Sequence, residues 1–175
     1  MKIFGLAGWS GSGKTTLVVR LLPELNRRGL RVSTMKHAHH DFDIDSPGKD
    51  SHAHRAAGAA EVMVASARRW ALMHEHRGAP EPSAAALARR MTPVDLLLIE
   101  GFKREAHDKL EVYRPAVGKP PLYPDDPRIV AVASDAKLPG TPLPVLDLDD
   151  AAAIADFILA HCGLRGRAAR AAGAP

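Results

Sequence analysis

Residues 5–17 read GLAGWSGSGKTTL, almost at the head of a chain of 175 residues. Gly8, Gly13, Lys14 and Thr15 match the pattern G-x-x-x-x-G-K-[ST], with a strand-like run before it and a helix-like run after it, the context a phosphate-binding loop needs. Glycines at 8, 11 and 13 permit main-chain angles that turn successive N–H groups inward around phosphate oxygens. The helix N-terminus that follows adds partial positive charge. Lys14 then reaches the β- and γ-phosphates, the Thr15 hydroxyl can ligate Mg²⁺, and Thr16 is placed to touch the α-phosphate.

Outward from this loop, short apolar runs alternate with helical patterns. The candidate strands are KIFGLAG, LRVSTMKH, EVMVAS, WALMHE, VDLLLIEG, RIVAVAS and LPVLDL. Several are continuous rather than alternating, as strands covered on both faces are. The expectation is an α/β fold, a P-loop NTPase-type three-layer sandwich around a mostly parallel central sheet. The first helix is predicted from about Lys14 to Arg28, with Leu17, Val18, Leu21, Leu22 and Leu25 on one stripe, Pro23 kinking it and Gly29 stopping it. Further helices are predicted over SAAALARRM, capped near Ser83, and from about Asp149 to His161. Two long connections, His37 to Ala60 and Arg114 to Arg128, are rich in turn formers, charge or proline, which marks them as functional or mobile.

Composition narrows the function. The net charge is +4, but Arg165, Arg167 and Arg170 sit in an acid-free tail, and taking those three away leaves +1. With two Trp, two Tyr and four Phe besides, the body lacks the basic footprint and stacking platforms of a nucleic-acid binder. No run of residues reaches the roughly 18–20 apolar positions of a membrane span. The lone Cys162 cannot form an internal disulfide, which fits a reducing cytoplasm. The expected organisation is a nucleotide-binding domain over residues 1–162 and a basic, disordered tail over 163–175.

A second acid should complete the magnesium shell, and VDLLLIEGF offers Asp95 and Glu100. Ligands gather at the carboxyl ends of parallel strands, and five residues at about 3.3 Å each put Asp95 about 16 Å from Glu100. Glu100 is therefore the one at the cradle, and Gly101 beside it suits a close main-chain approach. The loop with His37, His39, His40, His52, His54, Asp41, Asp43, Asp45 and Asp50 leaves three readings open. It is a transition-metal site, a solvated polar loop, or a nucleotide-responsive segment in which Asp43 or Asp45 approaches Mg²⁺ and Lys49 or Arg55 faces a phosphate. Asp135, closing RIVAVASD, either accepts from guanine N1 and N2 or forms its own turn.

Three blocks, GWSGSGKTTL, KHAHHDFDIDSPGKDSHAHRAAGA and DLLLIEGFKREAHDKLEVYR, together resemble the MobB family, the B proteins of molybdopterin-guanine dinucleotide biosynthesis. The similarity runs from about Lys2 to Asp149, and the second and third blocks are more particular than the first. It implies a GTP-binding protein, usually a homodimer, that assists the separate molybdopterin guanylyltransferase in attaching GMP to molybdopterin. Carried onto this chain, Gly11, Ser12, Gly13, Lys14, Thr15 and Thr16 hold the phosphates, Thr15 and Glu100 serve magnesium, and HHDFDIDSPGKDS lies near the nucleotide. Asp135 is carried as the base contact.

A kinase needs groups that steady the transferred phosphoryl. Beyond Lys14 there is no compact arginine-rich lid, since Arg68, Arg69, Arg89 and Arg90 fall in pairs that suit solvated ends. The expectation is weak GTPase activity involving Lys14 and Glu100, with Mg²⁺ held by Thr15, Glu100 and Asp45 and loop order set by the γ-phosphate. A small-molecule kinase and a metal-delivery GTPase using the histidine loop are the competing classes.

Overall fold

The structure, a computed structural model, describes residues 1–38, 42–102 and 105–166. It divides into two compact units, Met1–His37 with the chain from Leu87 onward, and Ala38–Ala86.

The first unit is built on a six-stranded sheet in which every neighbouring pair is parallel. Its strands are β1 (Lys2–Ala7), β2 (Val32–Lys36), β5 (Leu96–Glu100), β6 (Lys109–Tyr113), β7 (Ile129–Ser134) and β8 (Val145–Asp147), in the spatial order β2-β5-β1-β6-β7-β8. β1 thus lies in the interior, and the chain after it leaves towards one edge and later returns on the other side. Ligands collect at such a reversal, beyond the carboxyl ends of the strands.

The sheet stays put because its central strands are apolar on both faces. All four of Leu96, Leu97, Leu98 and Ile99 are buried, as are Phe4 and Leu6 of β1. Helix α1 (Lys14–Arg27) buries Leu17, Leu21 and Leu25, and α4 (Ala151–Cys162) buries Ile154 and Ile158 in the same cluster. Each such leucine or isoleucine contributes about 1.5–3 kcal/mol of burial. The stop at the end of α1 is as predicted within a residue, and the helix is unbroken through Pro23. Asp150 caps the start of α4, its carboxylate accepting from Ala153 N at 2.9 Å, and Gly163, in the left-handed region, caps its end. Cys162, at the helix end, is a buried free thiol, and burial raises its pKa.

Two differences from the sequence reading stand out. KLEVY, not among the candidate strands, is the interior strand β6 (Lys109–Tyr113), its charged residues masking an otherwise apolar run. Lys109 and Glu111 are both fully buried, yet both are answered. Lys109 donates to Asp126 at 3.1 Å and to Glu105 O at 2.8 Å, while Glu111 accepts from Leu122 N at 2.7 Å and Tyr123 N at 2.9 Å.

The second difference lies in the other unit. EVMVAS and WALMHE do form strands, β3 (Glu61–Ala65) and β4 (Trp70–His74), but they pair antiparallel as a separate two-stranded ribbon. Only residues 66–69 connect them, closed by Ser66 N donating to Arg69 O at 2.9 Å, and a parallel crossover needs a dozen residues or more. The same unit holds a short helix, α2 (Asp50–Ala56), inside the segment read as a connection without regular structure. The helix read over SAAALARRM is α3 (Ala84–Ala88), with Ser83 Oγ accepting from Ala86 N at 3.2 Å. Among the described residues, no helix is long and apolar enough to cross a membrane. Most of the predicted tail, residues 167–175, lies outside the described residues.

Candidate functional site

The loop between β1 and α1 takes the shape its glycines permit. Gly8, Gly11 and Gly13 have φ of +143°, +81° and +97°, all in the region side chains resist. Gly8 is also fixed by contact, because a Cβ there would lie 2.5 Å from Val112 O and 2.7 Å from Ser12 Oγ. Among the described residues, the main-chain N–H groups of Gly11, Gly13, Thr15 and Thr16 meet no acceptor, while Ser12 N reaches Trp9 O at 3.2 Å. Ser12 Oγ is buried with no partner. A helix start with open amides and an unanswered hydroxyl is what an anion can satisfy.

Lys14 folds back over this loop, its Nζ donating to Gly8 O at 3.0 Å and Trp9 O at 2.8 Å. Its ammonium is thus held in the loop by carbonyls that a phosphate oxygen can replace. Thr15 Oγ1 donates to Glu100 Oε1 at 2.9 Å. β1 and β5 are neighbours with Leu6 opposite Glu100, which brings the last residue of one strand beside the first turn of the helix after the other. A hydroxyl and a carboxylate so placed are hard oxygen donors of the kind Mg²⁺ takes. Asp95 sits at the opposite end of β5, where its carboxylate accepts from Arg31 N at 2.8 Å.

Beyond Glu100 the chain turns sharply. Gly101 has φ +93°, and the space its missing side chain leaves is occupied by His37, whose Cβ would be 2.9 Å from an added Cβ. Phe102 adopts φ +48° with its ring 4.6 Å from that of His37. A left-handed aromatic residue is strained, and strain of this kind gathers where function holds the backbone.

On the other side of the cradle lie groups the sequence reading did not single out. Arg114, directly after β6, donates through Nε to Ser12 O at 3.2 Å and through Nη1 to Asp135 Oδ2 at 2.8 Å. Trp9 Nε1 donates to Pro120 O at 2.7 Å, and Lys119 Nζ lies 6.0 Å from the Trp9 ring centre. The proline-rich segment from Arg114 to Arg128 is therefore pinned to the loop at Trp9 and Ser12 and to β6 through Glu111. The signal for Arg114 was a cation at the carboxyl end of a strand, hidden because the strand itself was not recognised.

The residues of the second unit stand as follows. Asp45 Oδ1 accepts from Ser46 N at 3.0 Å and Ser51 Oγ at 2.9 Å, while its Oδ2 is buried without a partner. Asp43 and Glu75 both take Arg55, at 2.5 and 3.3 Å, and Arg55 holds the Asp43 carboxyl below its usual range. His39, His40 and Asp41 lie outside the described residues. Among the described residues, no group of three or more His, Cys, Asp or Glu converges on a metal position.

Comparison with known proteins places this geometry. The family described as molybdopterin guanine dinucleotide synthesis protein B matches residues 3–135. The molybdopterin-guanine dinucleotide biosynthesis adapter protein of Escherichia coli (strain K12) is 44% identical over 160 residues, covering 90% of this chain and 91% of the relative. Its counterpart in Haemophilus influenzae is 42% identical over 159 residues, covering 89% and 86%. Among solved structures, a crystal structure of molybdopterin-guanine biosynthesis protein B superposes with a TM-score of 0.71 at 30% identity, over 91% of this chain and 99% of that one. The match spans the phosphate loop, the segment from His37 to Ala60 and the stretch from Glu100 to Asp135, so the chain belongs to the MobB family.

Proposed function

We propose that this chain is a nucleotide-binding adapter in molybdopterin-guanine dinucleotide synthesis, as the names of its relatives describe those proteins. The observation that carries the nucleotide reading is the cradle. Open amides at the start of α1, Lys14 Nζ across the loop and the Thr15–Glu100 pair at 2.9 Å together match a triphosphate with its divalent ion. GTP is the ligand, with Gly11, Ser12, Gly13, Lys14, Thr15 and Thr16 around its phosphates and Gly101 at the rim. Thr15 and Glu100 hold Mg²⁺. A divalent ion held there would neutralise part of the polyphosphate charge. Lys14 exchanges its two carbonyls for phosphate oxygens, and Glu100 accepts from Thr15 or from a water. Asp135 takes the guanine N1 and N2 hydrogens.

The partner is the guanylyltransferase that attaches GMP to molybdopterin, and the working form is a cytoplasmic homodimer over residues 1–162 with its basic tail. Hydrolysis is slow, and the nucleotide acts as a signal more than as a phosphoryl source. A calorimetric titration with GTP and ATP, each with and without Mg²⁺, tests base, cradle and ion together. GTP should bind more tightly than ATP, Mg²⁺ should strengthen it, and Lys14→Ala should weaken GTP by at least about tenfold. Equal affinity of Lys14→Ala and the unaltered protein ends the reading.

A further inference from the structure

Arg114 is a charged group at the cradle that this reading leaves without a task. β6 and β7 run parallel with Tyr113 opposite Ser134, so Arg114 and Asp135 are the next residues in register, both just past the carboxyl ends of their strands. The guanidinium grips the phosphate loop with one edge, Ser12 O at 3.2 Å, and Asp135 with the other at 2.8 Å. It also lies against Gly13, where an added Cβ would come within 3.4 Å of Arg114 Nε. A planar fork carries donors on separate edges and so holds two acceptors apart, whereas a lysine's three donors share one nitrogen on which both acceptors would have to converge.

We propose that Arg114 is a positioning residue that couples the base end of the nucleotide site to the phosphate loop, holding the Asp135 carboxylate and the Ser12 carbonyl in one arrangement. This rests on the nucleotide reading above. Both side chains are about one-third exposed, 35% for Arg114 and 31% for Asp135, and an exposed ion pair does little for folding. What the pair does is set a direction. It turns one carboxylate oxygen towards the loop and neutralises a charge that would otherwise stand beside a polyphosphate. Without Arg114, Asp135 is an unanswered anion at the same sheet edge, and the Ser12 carbonyl loses its brace. Without Asp135, the guanidinium has only the loop to hold.

The test is a double-substitution cycle on the full chain. A fluorescent GTP analogue with Mg²⁺ is titrated into the unaltered protein, Arg114→Gln, Arg114→Lys, Asp135→Asn and the double variant, with competition by unlabelled GTP and ATP and a nucleotide-free unfolding temperature for each. Arg114→Gln should weaken GTP by about tenfold and narrow the preference for GTP over ATP, and Arg114→Lys should recover only a small part of the loss. The double variant should bind no more weakly than Arg114→Gln alone, with unfolding temperatures within about 2 °C of one another. Losses that multiply independently, or a loss of GTP that merely tracks a lower unfolding temperature in Arg114→Gln and Arg114→Lys alike, overturn the coupling. If the unaltered protein binds neither nucleotide, the nucleotide reading falls and the coupling with it. If it binds GTP, Lys14→Ala abolishes that binding and the cycle is additive, only the coupling falls.

Discussion

Glu111→Ala should unlatch the proline-rich segment from the sheet. The Glu111 carboxylate is fully buried and accepts two main-chain amides, Leu122 N at 2.7 Å and Tyr123 N at 2.9 Å. Alanine leaves both amides without an acceptor, at about 1–3 kcal/mol each. Against that, the substitution removes the cost of keeping a carboxylate out of water, a cost visible in the way burial pushes the Glu111 pKa up despite the two amide bonds. The net loss should be about 2–3 kcal/mol. With a urea m-value of about 2 kcal/mol/M, the unfolding midpoint drops by about 1 M at unchanged slope. Amide hydrogen exchange locates the effect, since protection should fall first at Leu122 and Tyr123, the two amides that lose their acceptor. Trp9 is tied to Pro120 O in the same segment, so its fluorescence should shift in the folded variant. A midpoint within about 0.3 M of the unaltered protein, with both amides still protected, would refute the assignment of Glu111 as the anchor.

Two further outcomes follow from the cradle and from the opposite end of the sheet. Gly8→Ala should cost about 2–4 kcal/mol in urea unfolding and abolish GTP binding, because a Cβ at φ +143° would meet Val112 O at 2.5 Å, and that carbonyl belongs to an interior strand that cannot step aside; an unchanged midpoint would mean the loop is not seated there. His107, whose Nε2 is buried without a partner, has its pKa lowered by burial and then by Lys109. Its neutral form therefore stabilises the fold above the ordinary histidine pKa, and the contribution is lost as pH falls from about 7 through the depressed folded value; an unfolding midpoint as steep with pH in His107→Gln as in the unaltered protein would remove His107 from the account.

The phosphate loop, the polarity of β5 and the packing stripe of α1 were legible because local chemistry specifies each of them. A glycine-rich turn has few uses for Lys14 and Thr15 beyond phosphate and metal, and strand direction alone decides between Asp95 and Glu100. β6 was not legible, because Lys109 and Glu111 look like surface residues until their partners Asp126, Leu122 and Tyr123 are known, and those lie more than ten residues downstream. The ribbon of β3 and β4 was legible as strands but not as a separate sheet. Four of its apolar residues, Met63, Val64, Trp70 and Leu72, are exposed, and hydrophobic patterning cannot tell such a ribbon from a covered strand. Arg114 escaped for a related reason, since its meaning comes from Ser12 and Asp135, one far upstream and one downstream.

The interior position of β1 also dictates an order of events during synthesis. Its two neighbours are β5 and β6, so residues 2–7 wait for residues 96–113 before either flank is hydrogen-bonded, and the Ser12 carbonyl waits for Arg114. At elongation rates of about 5–20 residues per second, residues 2–7 stay unpaired for about 5–20 seconds. Largely apolar, this strand is a natural client for chaperones in that interval, and a nascent chain arrested before β5 should hold no nucleotide.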